Sequence, residues 1–232
     1  MVVVDWKSID LSSLFTLGTD PSLSCAGTSY ESGVLFMMLA ECFSYRSFLE
    51  IGTNAGYVST LMGRYFELKG GGLVHTCDPG AGNALGSERW EKATVQFFHM
   101  TSDDYFKQLR PDVKFDMVFI DGCRYVDFLW RDTANSIAHL SKFGTLVFHD
   151  PVTLPTVITH IYNSLREFGQ WDVIGFPYKT GLFVARRNEE KDWLALTDSL
   201  YPDHGYVMNT GWLDLKELAE RCRRVARGEL SW

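Results

Sequence analysis

The chain has 232 residues, 46% hydrophobic content and a net charge of −7, with no linker-like composition dividing it, which suits one sizeable α/β core in a single domain. The acidic balance and the lack of a basic run argue against a nucleic-acid target, because phosphate binding relies on clustered Lys and Arg. No charged and apolar leader and no apolar run near about 18 residues is seen, so neither secretion nor membrane spanning is expected, and five scattered cysteines (Cys25, Cys42, Cys77, Cys123, Cys222) fit a reduced, cytoplasmic chain better than a disulfide framework or a metal knuckle.

In chain order, Thr28-Ser29-Tyr30-Glu31 reads as a capping box before a helix with Val34, Leu35, Met38 and Leu39 on one face. The segment Ser47-Phe48-Leu49-Glu50-Ile51 reads as an apolar strand ending in an acid, and Gly52-Thr53-Asn54-Ala55-Gly56 is a glycine turn opening the next helix. Glycines at the first and fifth positions of such a turn let backbone amides approach a ligand, which suits a nucleoside cofactor. Asn54 stands where a dinucleotide fingerprint needs its middle glycine, so a pyrophosphate fits poorly. Glu50 would repel phosphate and suit a sulfonium or ammonium, both present in S-adenosylmethionine.

Leu73 to Asp78 reads as a second strand whose terminal acid follows Glu50 by 28 positions, near where an acid grips ribose hydroxyls in nucleotide-binding βαβ units. Asp78-Pro79-Gly80 is also a turn by composition. Continuous apolar strands follow at 95–98, 115–120 and 144–148, with room for crossover helices between them, so the sheet is expected to be mostly parallel and doubly wound. Its ligand crevice lies outside the strands' carboxyl ends, where Glu50, Asp78, the run Thr101-Ser102-Asp103-Asp104, Asp121 and Asp150 fall. The stretch 172–185 reads as an antiparallel hairpin. Trp212, Leu215, Leu218, Ala219, Cys222 and Val225 then recur at helical spacing, a stripe that fits core packing or a homodimer face. The aromatic-rich stretch 193–212 fits a cap over the site or packing on the sheet.

Four stretches, Phe48 to Gly56, Thr101 to Phe106, Phe119-Ile120-Asp121-Gly122 through Arg131-Asp132, and His149-Asp150, resemble the class I S-adenosylmethionine-dependent methyltransferases. More narrowly, they resemble a bacterial branch distantly related to the catechol-type O-methyltransferases. The resemblance implies a seven-stranded, mostly parallel Rossmann-like sheet with an antiparallel last hairpin. It implies that Glu50, Gly52, Thr53 and Gly56 line the methionine half of the cofactor, that Asp78 holds the ribose, that Ser102 and Asp103 lie near the adenine, and that Asp121 sits at the mouth of the site with Asp150. The Asn-Pro-Pro-aromatic motif of amino-methylating DNA enzymes is absent.

Two carboxylates at adjacent strand ends could share Mg²⁺ or another divalent cation, which would acidify a substrate hydroxyl. Catechol-type enzymes follow the second aspartate with an amide ligand, and here Pro151 offers none. Arg124 stands where this branch often carries His and catechol-type enzymes Lys, and it stays protonated, so it cannot be a general base. That leaves Asp121 or Asp150 as the favoured base and His149 as the other candidate. Alternation along a strand sends His149 and Asp150 to opposite sides, so His149 is read as packing. Arg124 would clamp an anionic substrate group, or else pair with Asp127 or Asp132.

These readings divide the chain into an N-terminal helical segment (1–45), a cofactor-binding α/β core (46–187) and a C-terminal helical extension (188–232). The expected activity is methyl transfer from S-adenosylmethionine to an oxygen of a small molecule or sugar, with catalytic Asp121, Asp150 and Arg124. The alternatives are an N- or C-methyltransferase without metal, a cofactor-binding protein without catalysis, and a nicotinamide oxidoreductase, the last disfavoured by Asn54.

Overall fold

In a computed structural model, residues 14, 28–80, 94–155, 157–159, 161, 165, 171–177, 180–187, 206–208 and 211–213 are described. The chain runs α1 (Tyr30–Phe43), β1 (Ser47–Ile51), α2 (Tyr57–Leu68), β2 (Leu73–Cys77), β3 (Val95–Phe98), α3 (Ser102–Gln108), β4 (Phe115–Ile120), α4 (Val126–Ala138), β5 (Leu140–His149), β6 (Trp171–Phe176) and β7 (Leu182–Arg187). A short ladder, β8 (Tyr206–Met208) with β9 (Gly211–Leu213), stands apart from the main sheet.

That sheet has seven strands in the order β3-β2-β1-β4-β5-β7-β6. β3, β2, β1, β4 and β5 are mutually parallel, and β7 runs antiparallel between β5 and β6, closing the sheet with the expected hairpin. Each central strand sends alternate side chains to two separate cores. Phe48, Met117, Phe119 and Val147 pack under α1 and α2 with Phe36, Met37, Leu61 and Phe66. Leu49, Val118, Ile120, Leu146 and Phe148 pack under α3 and α4 with Tyr105, Phe106, Leu129 and Ile137. Most of these side chains are fully buried, and each such burial is worth roughly 1.5–3 kcal/mol.

Three local expectations need correction. The cap of α1 is Ser29, whose side chain accepts from the Ser32 amide at 3.3 Å, one residue later than a Thr28–Glu31 box. The buried face of α1 is Gly33, Phe36, Met37 and Ala40, with Val34, Leu35, Met38 and Leu39 half-buried on its flanks. Both stripes have helical spacing, and the snug approach of α2 decides between them: a Cβ at Gly33 would lie 2.4 Å from the Tyr57 hydroxyl. Trp212 lies in β9, not in a helix, because pairing with β8 outweighs a helical period that begins there. The rest of the C-terminal stripe, and 193–205 and 209–210 of the aromatic stretch, lie outside the described residues.

Candidate active site

The strand order changes direction between β1 and β4, the place where open α/β sheets bind ligands. There the ends of β2, β1 and β4 are tied together. The Gly52 amide donates to the Cys77 carbonyl at 2.9 Å and the Asp121 amide to the Ile51 carbonyl at 2.9 Å. Gly52 has φ 95°, and a Cβ on it would stand 2.4 Å from the Asp121 carbonyl oxygen. Glycine is required here to let β1 and β4 end side by side, a packing role beyond the ligand approach read from the sequence. Asn54 (φ 45°) and Gly56 (φ 74°) are also left-handed, and they coil the turn into the start of α2.

These loops border a cleft of about 680 Å³ whose wall includes Gly52, Asn54, Asp78, Ser102, Asp121, Arg124, Asp132 and His149. That volume suits a nucleoside-sized ligand. Asp78 is half-buried on the wall. Its Oδ2 accepts from the Asn54 amide at 3.0 Å and its Oδ1 from the Gly80 amide at 2.7 Å. The turn-forming reading and the ligand reading are therefore compatible, since a carboxylate offers about four acceptor positions and two are used.

Glu50 and Thr53 are each only 2% exposed and stand behind the wall. Glu50 accepts from Thr76 at 3.0 Å, and Thr76 in turn bonds Thr53 at 2.6 Å. Burial, with Asp121 adding to it, pushes the Glu50 carboxyl up to about 8. Gly56 likewise caps α2 and is not on the cleft wall. Ser102 is on the wall, whereas Asp103 turns to Arg131 at 3.3 Å. The acid that the structure puts beside Ser102 is Asp132, 2% exposed, with Oδ1 lacking a hydrogen-bond partner among the described residues and the carboxyl pushed up to about 7 by burial. Sequence reasoning named Asp132 only as an ion-pair partner. Its place in α4 between the buried Trp130 and Thr133 is the signal that marks it as inward-facing.

At the β4 and β5 ends, four side chains converge. His149 Nδ1 lies 2.7 Å from Asp121 Oδ1 and 3.4 Å from Asp150 Oδ1. Arg124 donates from Nε to Asp150 and from Nη2 to Asp121, the latter at 3.3 Å. Neither partner proposed for Arg124 from sequence is the observed one: Asp127 lies near Arg131 instead, at 3.9 Å. The expectation that His149 faces away from Asp150 also fails. Alternation holds through His149, but Asp150 has φ 60°, a left-handed turn that brings its carboxylate back beside the imidazole. The far nitrogen, His149 Nε2, is 3.0 Å from Thr180 Oγ1 on the hairpin. One potential ligand atom from each of Asp121, His149 and Asp150 lies within 4.8 Å of the others.

The seven-stranded sheet with its antiparallel last hairpin, and a cleft at the β1/β4 switch beside a glycine turn and an acid at the second strand end, has the methyltransferase fold. Residues 49–151 match the family model described as a methyltransferase domain. That matched stretch, under half of the chain, runs from β1 to just past β5 and holds the glycine turn, Asp78, Asp121 and His149. No curated protein matches it. Among solved structures, an O-methyltransferase from Bacillus cereus in complex with S-adenosylhomocysteine is 18% identical, with TM-score 0.59 over 77% of this chain and 90% of that one. The O-methyltransferase TomG from Streptomyces achromogenes, in complex with S-adenosylmethionine, is 20% identical with TM-score 0.57, over 76% and 88%. A Podospora anserina methyltransferase bound to S-adenosylhomocysteine is 15% identical with TM-score 0.57, over 77% and 88%. These likenesses are of fold. Among the described residues no helix is long and apolar enough to cross a membrane.

Proposed function

We propose that the chain transfers the methyl group of S-adenosylmethionine to an oxygen of a small-molecule or sugar acceptor in the cytoplasm. The observation that carries this reading is the convergence of the Gly52 turn, Asp78 and the Asp121–His149 pair on one cleft. The free acceptor positions of Asp78 fit the ribose hydroxyls, and Ser102 with Asp132 fits the adenine end. Gly52, Thr53, Gly56 and Glu50 shape the turn beside the methionine end, Glu50 from behind the wall. TomG is described as involved in tomaymycin synthesis, which supports a small-molecule acceptor.

S-adenosylmethionine supplies a methyl carbon bonded to a cationic sulfur. The acceptor oxygen forms its bond to that carbon as the carbon–sulfur bond breaks, leaving S-adenosylhomocysteine, and the hydroxyl proton must go to the protein. Asp121 suits His149 to take it: a hydrogen bond from Nδ1–H fixes the tautomer in which Nε2 is the acceptor, at the position now filled by Thr180 Oγ1. Asp121, with Asp150 beside it, orients the imidazole. The test is release of S-adenosylhomocysteine with a panel of catechols, hydroxybenzoates and sugars. Acceptor-dependent release that His149→Ala reduces by about 10²-fold or more supports the reading. Turnover on amines with none on hydroxyls would replace it with N-methylation.

A further inference from the structure

The resemblance to catechol-type enzymes implies a divalent ion shared by Asp121 and Asp150, but the side chains around them do not suit one. Two of the four oxygens on these two carboxylates are hydrogen-bonded, Asp121 Oδ1 by Arg124 Nη2 and His149 Nδ1 and Asp150 Oδ2 by Arg124 Nε, and Asp150 Oδ1 stands 3.4 Å from His149 Nδ1. A hard ion such as Mg²⁺ wants oxygen ligands in near-octahedral array. Here the third donor within reach is an imidazole, and the next residue, Pro151, has no ligand to give. The Asp121 and Asp150 side chains are only 15% and 7% exposed. A cation between two carboxylates this close favours the charged form of both, and a guanidinium already stands there. It cannot lose its proton at any working pH.

We propose that Arg124 is the resident cation of this centre. Its guanidinium bridges Asp150 and Asp121 where a shared divalent ion would have to sit, so the protein works without a metal, and a metal site appears only when Arg124 is removed. The inference deepens the reading given above, because it assigns charge neutralisation at the acceptor end of the cleft to a side chain. Three consequences follow from the geometry. The fork fixes both carboxylates at once, which a lysine ammonium, a single point charge, would do less well. Half of the Arg124 side chain remains exposed on the cleft, so its outward N–H groups face the space where an acceptor oxygen gains negative charge. Finally, adding a divalent ion to the native protein has to displace a covalently tethered cation, a competition that the untethered ion loses.

The probe is Mn²⁺ alone, titrated into the full chain while the electron paramagnetic resonance signal of the free ion is followed. Wild type is expected to leave the signal close to that of buffer. Arg124→Ala and Arg124→Met should each take up one equivalent at least about tenfold more tightly than wild type, a change equivalent to about 1.4 kcal/mol. The double variant Asp121→Asn with Arg124→Ala should lose that uptake. Arg124→Met keeps the volume of the side chain and guards against a fold lost through Arg124→Ala, and circular dichroism melts report the fold of each variant. Uptake of one equivalent by wild type, as tight as in the variants and lost in Asp121→Asn, would overturn the proposal. Failure of a folded Arg124→Met to bind would overturn it too, since the guanidinium would then not be holding a metal's place. S-adenosylhomocysteine binding by wild type is scored separately, so loss of the methyltransferase reading is distinguishable from loss of this one.

Discussion

Replacing Asp78 by alanine tests how the cleft holds a nucleoside. The carboxylate accepts two backbone amides, from Asn54 at 3.0 Å and Gly80 at 2.7 Å, and its remaining acceptor positions lie on the cleft wall. Two ribose hydroxyls bound there would each form a hydrogen bond to a charged, half-buried acceptor. Together they are worth roughly 2–4 kcal/mol after allowance for solvent, a loss of about 30- to 900-fold in affinity. The two amides set free by the variant lie at the surface and can be rewetted, so stability should fall by only about 1 kcal/mol. Calorimetric titration with S-adenosylhomocysteine and with its 2′-deoxy analogue separates the two roles. In wild type the analogue should bind more weakly, whereas in Asp78→Ala the two ligands should bind alike, because the partner of the missing hydroxyl is gone. Affinity of Asp78→Ala within about twofold of wild type, with the deoxy penalty intact, would refute the ribose assignment and leave Asp78 as a turn residue only.

Gly52→Ala should cost about 2–4 kcal/mol in urea unfolding, since φ 95° and a carbonyl oxygen 2.4 Å from the new Cβ both oppose it. An unchanged midpoint would mean that the β1 and β4 loops are not locked together. Glu50 and Asp132, pushed up to about 8 and about 7, keep protons in the folded chain that the unfolded chain releases above about pH 4. Stability of the ligand-free protein should therefore fall as pH rises from about 4 to 8, by at most about 1.4 kcal/mol per pH unit for each group, and level off above that range. Glu50→Gln and Asp132→Asn should each flatten the curve, and urea midpoints across pH 5–9 that show no slope in wild type would contradict the burial argument.

Much of this molecule was legible before its structure. Continuous apolar strands spaced for crossovers give the sheet, and the acids after them give the crevice, because both follow from local pattern and from a general rule of open sheets. Local pattern fails where two strand ends interact. Gly52 looks like a ligand-cradling glycine, but the neighbour that excludes its Cβ is the Asp121 backbone. His149 looks like a packing residue until the left-handed φ at Asp150 is known, and nothing in the letters His-Asp-Pro announces that turn. Glu50 lies at the right strand end, yet its carboxylate is spent on Thr76 behind the wall. The partners of Arg124, which lie on the loops after β4 and β5, depend on a strand adjacency no helix-spacing rule contains.

The central claim is that the cleft takes an S-adenosyl compound and not a dinucleotide. Thermal melts with S-adenosylhomocysteine and with NAD, each in excess, test it most directly. At about one hundred times its dissociation constant, S-adenosylhomocysteine should add about 2.7 kcal/mol of apparent stability and raise the melting temperature, with no shift from NAD. A shift with NAD and none with S-adenosylhomocysteine would contradict the account.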